Sequence, residues 1–308
     1  MNADHHFTIG AGHRVCQDYA MSGQSAVIQA PMVDQAVSRT YAVVSDGCSS
    51  SPHTDWGSRF LCRAAEVCVA TYSNMFALYQ SVLDIAVPWT LPNYMHPRCL
   101  DATLMTAFQL NSKTVRVVVA GDGMVAARDR DGKIHAWDIQ FNANAPGYLN
   151  YKRDLDRLHR YMDGILNERR IEGGCGHRTV THYIEGVGQL DADLQPDVEK
   201  SSIRLVQKDD DTFEMHGFIW SIDLPVEQFD IVAVMSDGVH TFREEYERKR
   251  FKEVPFTTIL PHLMGIKGTG GLFLERRLRK FHSRTCVPNK WTHVDDFSMA
   301  AIYTGERT

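Results

Sequence analysis

Three stretches of this chain drive an apolar run straight into an aspartate followed by glycine. "TYAVVSDG" ends at Asp46-Gly47, "VRVVVAGDG" at Asp122-Gly123 and "IVAVMSDG" at Asp237-Gly238. Short apolar runs rich in β-branched residues and closed by a turn signal read as buried strands. Each strand therefore carries a carboxylate out of the core at its end. In a fourth segment, "HVDDFSMAAIY", Asp295-Asp296 come before the run. If that last strand lies antiparallel to the others, it begins at the sheet edge where they finish, and four acidic positions converge.

Asp-Gly is also an ordinary turn signal. Of the five such pairs in the chain, Asp131-Gly132 and Asp163-Gly164 read as structural turns. Three pairs at the ends of buried strands, with a paired aspartate at the start of another, point instead to a metal site. Converging carboxylates repel one another and are costly to desolvate without positive charge among them. Mg²⁺ and Mn²⁺ suit such a site, because they take oxygen ligands and retain several waters. Lacking a Cβ, Gly47 lets its carbonyl approach an ion closely.

With 308 residues and 44% hydrophobic content, the chain can bury a large core. A net charge of -5 argues against a nucleic-acid partner. The basic run Glu275 to Arg284 reads as a solvated helix face. Seven scattered cysteines without a C-x-x-C pair fit a reducing compartment. "MNADHHFTIG" lacks the features of a signal peptide, and no window approaches 18 apolar residues. A cytoplasmic protein without a membrane partner is expected.

Strand-like segments, many only a turn apart, favour antiparallel meanders. They include "HFTIGAG", "SAVIQA", "TYAVVS", "ATLMTAFQL", "TVRVVVAG", "MVAARD" and "KIHAWDI", then "RTVTHYI", "SIRLVQ", "FEMHGFIWSI", "DIVAVMS" and "FSMAAIY". A first helix is predicted from Thr54 or Asp55, with Thr54 or Asp55 as N-cap and Leu61, Ala65, Cys68 and Tyr72 as its apolar stripe. A last helix is predicted over about 269–284, burying Leu272, Leu274, Leu278 and Phe281, and a weaker pattern covers 151–170. Hairpins with segregated helices imply an α+β fold. The polar, acidic stretch 186–212 reads as loops around a hairpin, within a possible insertion at about 143–218 of a single domain spanning 1–308.

In this order the motifs resemble the metal-dependent type 2C serine/threonine protein phosphatases, the PPM family, in a bacterial-like form. They are "HRVCQDYA", "YAVVSDG", "DATLMTA" in place of a GST-like segment, "AGDG", "VMSDG" and "DDFS". The resemblance covers most of the chain, with a gap in the middle. It implies a four-layer α/β/β/α sandwich of two antiparallel sheets flanked by helices, with two Mn²⁺ or Mg²⁺ ions, and room for a third, at one sheet edge. By the same resemblance Asp46 bridges two ions, the Gly47 carbonyl binds one, and Asp237 and Asp295 ligate the other. Asp18 acts mainly through metal-bound water, Asp122 helps hold the third ion beside Asp237, and Asp296 stands behind the ligands. Two positions depart from the pattern: Gln17 replaces a common Glu, and His13 replaces a phosphate-binding Arg whose role neighbouring Arg14 or His13 itself would take.

The mechanism implied is in-line attack by metal-activated water on a phosphoserine or phosphothreonine of a protein substrate, with an opposing kinase. The family often has His directly after the Asp-Gly where this chain has Cys48. A metal-bound water or a nearby histidine such as His53 then protonates the leaving group. "CSSSPHT" lacks the Arg of a thiol phosphatase loop, so Cys48 reads as a loop residue, and His177-Arg178 reads as a solvated turn. "GIKGTGG" lacks the Gly-Lys-Ser/Thr ending of a phosphate loop. Two alternatives from other classes stand beside the phosphatase. One is a regulatory pseudophosphatase that binds phosphoprotein without turnover, and the other is a metallohydrolase of small phosphoesters.

Overall fold

The computed structural model describes residues 1–25, 38–141, 144–154, 156–161, 178–190, 204–207, 213–216, 219–246 and 250–305. Two antiparallel sheets dominate. The five-stranded sheet runs β12 (Ile219–Pro225), β5 (Thr114–Ala120), β4 (Leu104–Asn111), β3 (Thr40–Ser45) and β2 (Tyr19–Gln24). The seven-stranded sheet runs β1 (Asn2–Thr8), β17 (Phe297–Tyr303), β13 (Phe229–Met235), β6 (Gly123–Asp129), β7 (Ile134–Phe141), β8 (Arg178–Ile184) and β9 (Gly188–Leu190). Two small sheets complete the strands: β10 (Arg204–Gln207) pairs with β11 (Phe213–His216), and β14 (Phe242–Tyr246) lies between β15 (Arg250–Glu253) and β16 (Trp291–His293).

Alternation along the strands sets the layers. Val232, Val234, Ala300 and Ile302 of the seven-stranded sheet join Val44, Val117 and Val119 in one buried cluster. The same cluster takes in Leu61, Ala65 and Cys68 of α1 (Thr54–Val69) and Leu78, Tyr79 and Val82 of α2 (Met75–Thr90). The alternate residues Ile231, Ala233, Met235, Met299 and Ala301 pack with α3 (Phe256–Met264) and α4 (Phe273–Phe281). The result is the expected α+β sandwich, with helices outside both sheets.

Local physics explains the departures from the predicted elements. Thr54 is the first helical residue rather than the cap. His53 precedes it in a left-handed conformation at φ 57°, and the Thr54 hydroxyl bonds to the Cys48 carbonyl at 3.2 Å. α1 ends at Val69, before Tyr72. α4 starts only at Phe273, after Gly271 at φ 57°, so Leu272 is exposed and Phe273 is buried instead. Beyond Phe281 the chain makes a π-helical turn over His282–Cys286. The 151–170 pattern yields a 3₁₀ turn at Leu149–Arg153 and helix at 156–161, and its remainder lies outside the described residues. All of "SAVIQA" except Ser25 also lies outside them, while β2 forms from the unpredicted Tyr19–Gln24.

Candidate metal centre

Sheet register brings the carboxylates together. β13 pairs antiparallel with β17, Met235 opposite Met299, so the end of one strand and the start of the other lie side by side and place Asp237 next to Asp295-Asp296. Ser236 and Ser298 lock this junction through Ser236 N–H to the Ser298 carbonyl and Ser298 N–H to Ser236 Oγ, both 3.0 Å. β2 pairs with β3, Tyr19 opposite Ser45, which puts Asp18 beside Asp46. Asp122 sits where the chain crosses from β5 in one sheet to β6 in the other.

The backbone at Asp46 is pinned rather than loose. Its N–H donates to Thr103 Oγ1 at 3.0 Å, and its carbonyl accepts from Thr103 N–H at 2.8 Å. A Cβ on Gly47 would lie 2.7 Å from Thr54 Cβ, so the tight turn after Asp46 has room only for glycine. At the other strand end, a Cβ on Gly238 would meet the Asp296 carbonyl oxygen at 1.8 Å.

Asp46, Gly47, Asp122, Asp237, Asp295 and His13 line one cavity of about 210 Å³. Asp18 is fully buried and is not among the lining residues, and Arg14 is exposed outside the lining. Asp296 braces the N-terminal loop: its carboxylate accepts from Gly10 N–H at 2.8 Å and Gln17 N–H at 2.6 Å. The Gln17 amide reaches Thr54 Oγ1 at 2.9 Å, tying that loop to the first turn of α1. His13 Nε2 lies 3.4 Å from Asp295 Oδ1 and its Nδ1 3.0 Å from Asp296 Oδ2, the latter contact without hydrogen-bond alignment.

Burial and like charge push these carboxyls toward their neutral forms. Asp18, desolvated and facing Asp237, rises to about 7, and Asp122 rises to about 7 by burial and the charge of Asp237. Asp46 is held well above the ordinary carboxylate range by burial and then by Asp18 and Asp237, and Asp237 is raised by burial and Asp295. For His13, burial works against the proton, but Asp296, Asp295 and Asp18 together raise its pKa.

The donor set fits hard divalent cations. Among the described residues, both Asp18 oxygens and Asp237 Oδ1 are buried without a hydrogen-bond partner, an expensive arrangement unless positive charge joins them. Among the described residues, no three Asp, Glu, His or Cys side chains are arranged to hold an ion by themselves.

Sequence reasoning missed two parts of this region. Asn144, Pro146 and Tyr148 form a wall of the cavity, and the apolar and turn character of that stretch carried no chemical signal. Asp138 and His240 pair at 2.9 Å, and although burial opposes it, Asp138 raises the His240 pKa, with Asp237 and Asp122 adding to the effect. These partners are 102 residues apart, so only the fold reveals them.

The two-sheet α+β sandwich is a fold this chain shares with solved phosphatases. The serine/threonine phosphatase Stp1 from Staphylococcus aureus matches with a TM-score of 0.50 at 11% identity, over 99% of this chain and 96% of that one. A point variant of a bacterial serine phosphatase matches with a TM-score of 0.51 at 10% identity, over 100% and 99%. No curated protein sequence matches the chain. The protein phosphatase 2C family profile matches residues 12–280, and the chain belongs to that family. It is a protein phosphatase of a generally metal-dependent family.

Proposed function

We propose that the protein hydrolyses phosphoserine and phosphothreonine in protein substrates, using two Mn²⁺ or Mg²⁺ ions, with room for a third. The carrying observation is the set of buried, unpartnered carboxylate oxygens of Asp18 and Asp237 beside a cavity lined by Asp46, Asp122 and Asp295. Asp46 would bridge the ions with the Gly47 carbonyl at one of them. Asp237 and Asp295 would hold the other, Asp18 would act through water, and Asp122 would serve the third. When bound, such ions supply positive charge to the phosphoryl oxygens and an acidified water for in-line attack.

The chain's own residues prepare the cavity. His13, whose pKa Asp296 and Asp295 raise against the effect of burial, stands at the cavity wall where its imidazole would meet the substrate phosphate, a role the exposed Arg14 would share from outside. The two hydrogen bonds exchanged with Thr103 fix the Asp46 backbone, and those to Asp296 fix the loop that carries His13 and Gln17. Preorganised charge of this kind needs no rearrangement when phosphoryl charge shifts. We read the whole chain as one phosphatase unit, with 143–218 as an insertion that shapes substrate choice and an opposing Ser/Thr kinase supplying the substrate.

The test compares kcat/KM for a phosphothreonine peptide with that for a sugar phosphate and a nucleotide, all with Mn²⁺. The reading predicts that the peptide is preferred by at least an order of magnitude. Equal or better turnover of the small esters would make the protein a small-phosphoester hydrolase instead.

A further inference from the structure

A second cavity, of about 440 Å³, lies beside the catalytic one and is lined by Arg98, Tyr151, Asp154, Arg157, Arg160 and Tyr161. The two share a wall. Tyr148 lines the catalytic cavity, Tyr151 lines the second, and their rings meet edge to face at 5.4 Å. The chemistry of the second cavity is that of an anion site, since guanidinium groups among aromatic rings match the geometry of carboxylate and phosphate. Among the described lining residues one is acidic, Asp154, whose Oδ1 accepts from the Arg157 backbone N–H at 2.9 Å.

The three arginines are not equivalent. Arg157 is anchored: both its Nη atoms donate to the carboxylate of Asp101, at 2.7 and 2.6 Å, and its guanidinium lies 4.4 Å from the Tyr151 ring centroid. Asp101 is fully buried and also accepts from Ser51 Oγ at 2.6 Å and Asn150 Nδ2 at 2.8 Å, while its carbonyl accepts from Cys48 N–H at 2.9 Å. One carboxylate thus fastens the floor of the second cavity to the loop that follows Asp46-Gly47. Arg98 is about half exposed, touching Ser51 Oγ at 3.3 Å and standing 3.5 Å from Asp101. Arg160 is exposed and donates Nε to the Asp156 carbonyl. Arg98 and Arg160 are therefore the pair placed to meet a ligand, over a floor that Arg157 and Asp101 hold still.

We propose that this cavity is a subsite for an anionic group of the substrate peptide, a glutamate or aspartate carboxylate or a second phosphate, a few residues from the phosphoester being hydrolysed. The proposal rests on the phosphatase reading and names its substrate class: phosphopeptides with an acidic flank. An extended peptide advances about 3.3 Å per residue, so a chain leaving the catalytic cavity past Tyr148 and Tyr151 reaches the arginines within a few positions.

Three phosphothreonine peptides test it, identical except for the flanking positions on both sides: glutamine, glutamate, or a single phosphoserine among glutamines. Both kcat/KM and Kd are measured for the wild type, Arg98→Ala/Arg160→Ala and Arg98→Lys/Arg160→Lys. The wild type is expected to favour one or both anionic peptides over the glutamine peptide by about three- to tenfold, and added salt shrinks the preference. A preference for the phosphoserine peptide alone identifies the anion as phosphate. The alanine variant abolishes the preference, the lysine variant keeps part of it, and p-nitrophenyl phosphate turnover is unchanged in both. Equal values for all three peptides in the wild type, or a preference that survives in the alanine variant, would overturn the subsite. If nothing is turned over by the metal-loaded protein, the phosphatase reading falls, and the Kd comparison still decides the subsite on its own.

Discussion

The carboxyls of Asp18 and Asp122 leave a signature in the metal-free protein. Both titrate near 7 against an ordinary 3.8, so the folded chain keeps protons that the unfolded chain has lost. Their contribution to stability is complete below about pH 4 and is lost as pH rises through about 7. His182 works in the opposite direction: burial lowers it from 6.5 to about 4, and its contribution is lost as pH falls from about 6.5 to 4. Above pH 6.5 only the carboxylate effect remains of the two. Metal-free protein is therefore expected to lose thermal stability between about pH 6.5 and 8, and Mn²⁺ to restore more at the higher pH. Asp46→Asn should raise the metal-free Tm at pH 7.5 by at least about 2 °C, because it relieves repulsion, while lowering turnover by at least about a hundredfold. An unchanged Tm would mean the carboxylates do not repel as described. His13→Ala should raise KM more than it lowers kcat if the imidazolium meets phosphate in the ground state, and steady-state kinetics with a phosphopeptide read this directly. Asp46, Asp122 and Asp237 were legible because each closes an apolar run, and Asp295-Asp296 because they open one, whereas Asp18 came only with the family resemblance. Tyr148, Asp138 and Asp101 were not, since a lone tyrosine or aspartate acquires its role only from partners far along the chain.

At the scale of elements, the strands were easier to read than the helices. β3, β8 and β17 fall on the residues that alternation and β-branching mark. α2 and α3 went unread because Pro88 and Pro261 lie inside them, and proline signals a break. At α2 a legible cap was present nonetheless: Asn74 Oδ1 accepts from the N–H groups of Phe76 and Ala77. α4 shows why some helix starts cannot be found locally. Its first turn is capped by buried Asp4 from β1, whose Oδ2 accepts from Leu274 N–H at 2.6 Å and Glu275 N–H at 3.3 Å. Asp4→Ala should cost about 1–2 kcal/mol of stability by denaturant melts, with kcat little changed. A neutral result would show that α4 does not depend on this cap.

For the whole molecule, the inter-sheet core positions the chemistry: the strands whose inward faces pack together are the ones whose ends carry Asp46, Asp122, Asp237 and Asp295. Phe108→Ala, which empties a fully buried site on β4, should cost about 3–5 kcal/mol, and a scan that showed less than about 1 kcal/mol would place it outside the core. The sandwich itself followed from hairpin spacing and segregated helices. Sheet order did not, because nothing local says that β13 lies between β6 and β17. Whether the strand-end aspartates hold catalytic cations is decided by one experiment. Metal-stripped protein is titrated with Mn²⁺ and Mg²⁺ while phosphate release from a phosphothreonine peptide is followed, in parallel with Asp237→Asn. Activity is expected to appear with metal, to saturate and to be absent in the variant. Silence with both metals from a folded protein that still binds the peptide, or equal activity in Asp237→Asn, would contradict this expectation.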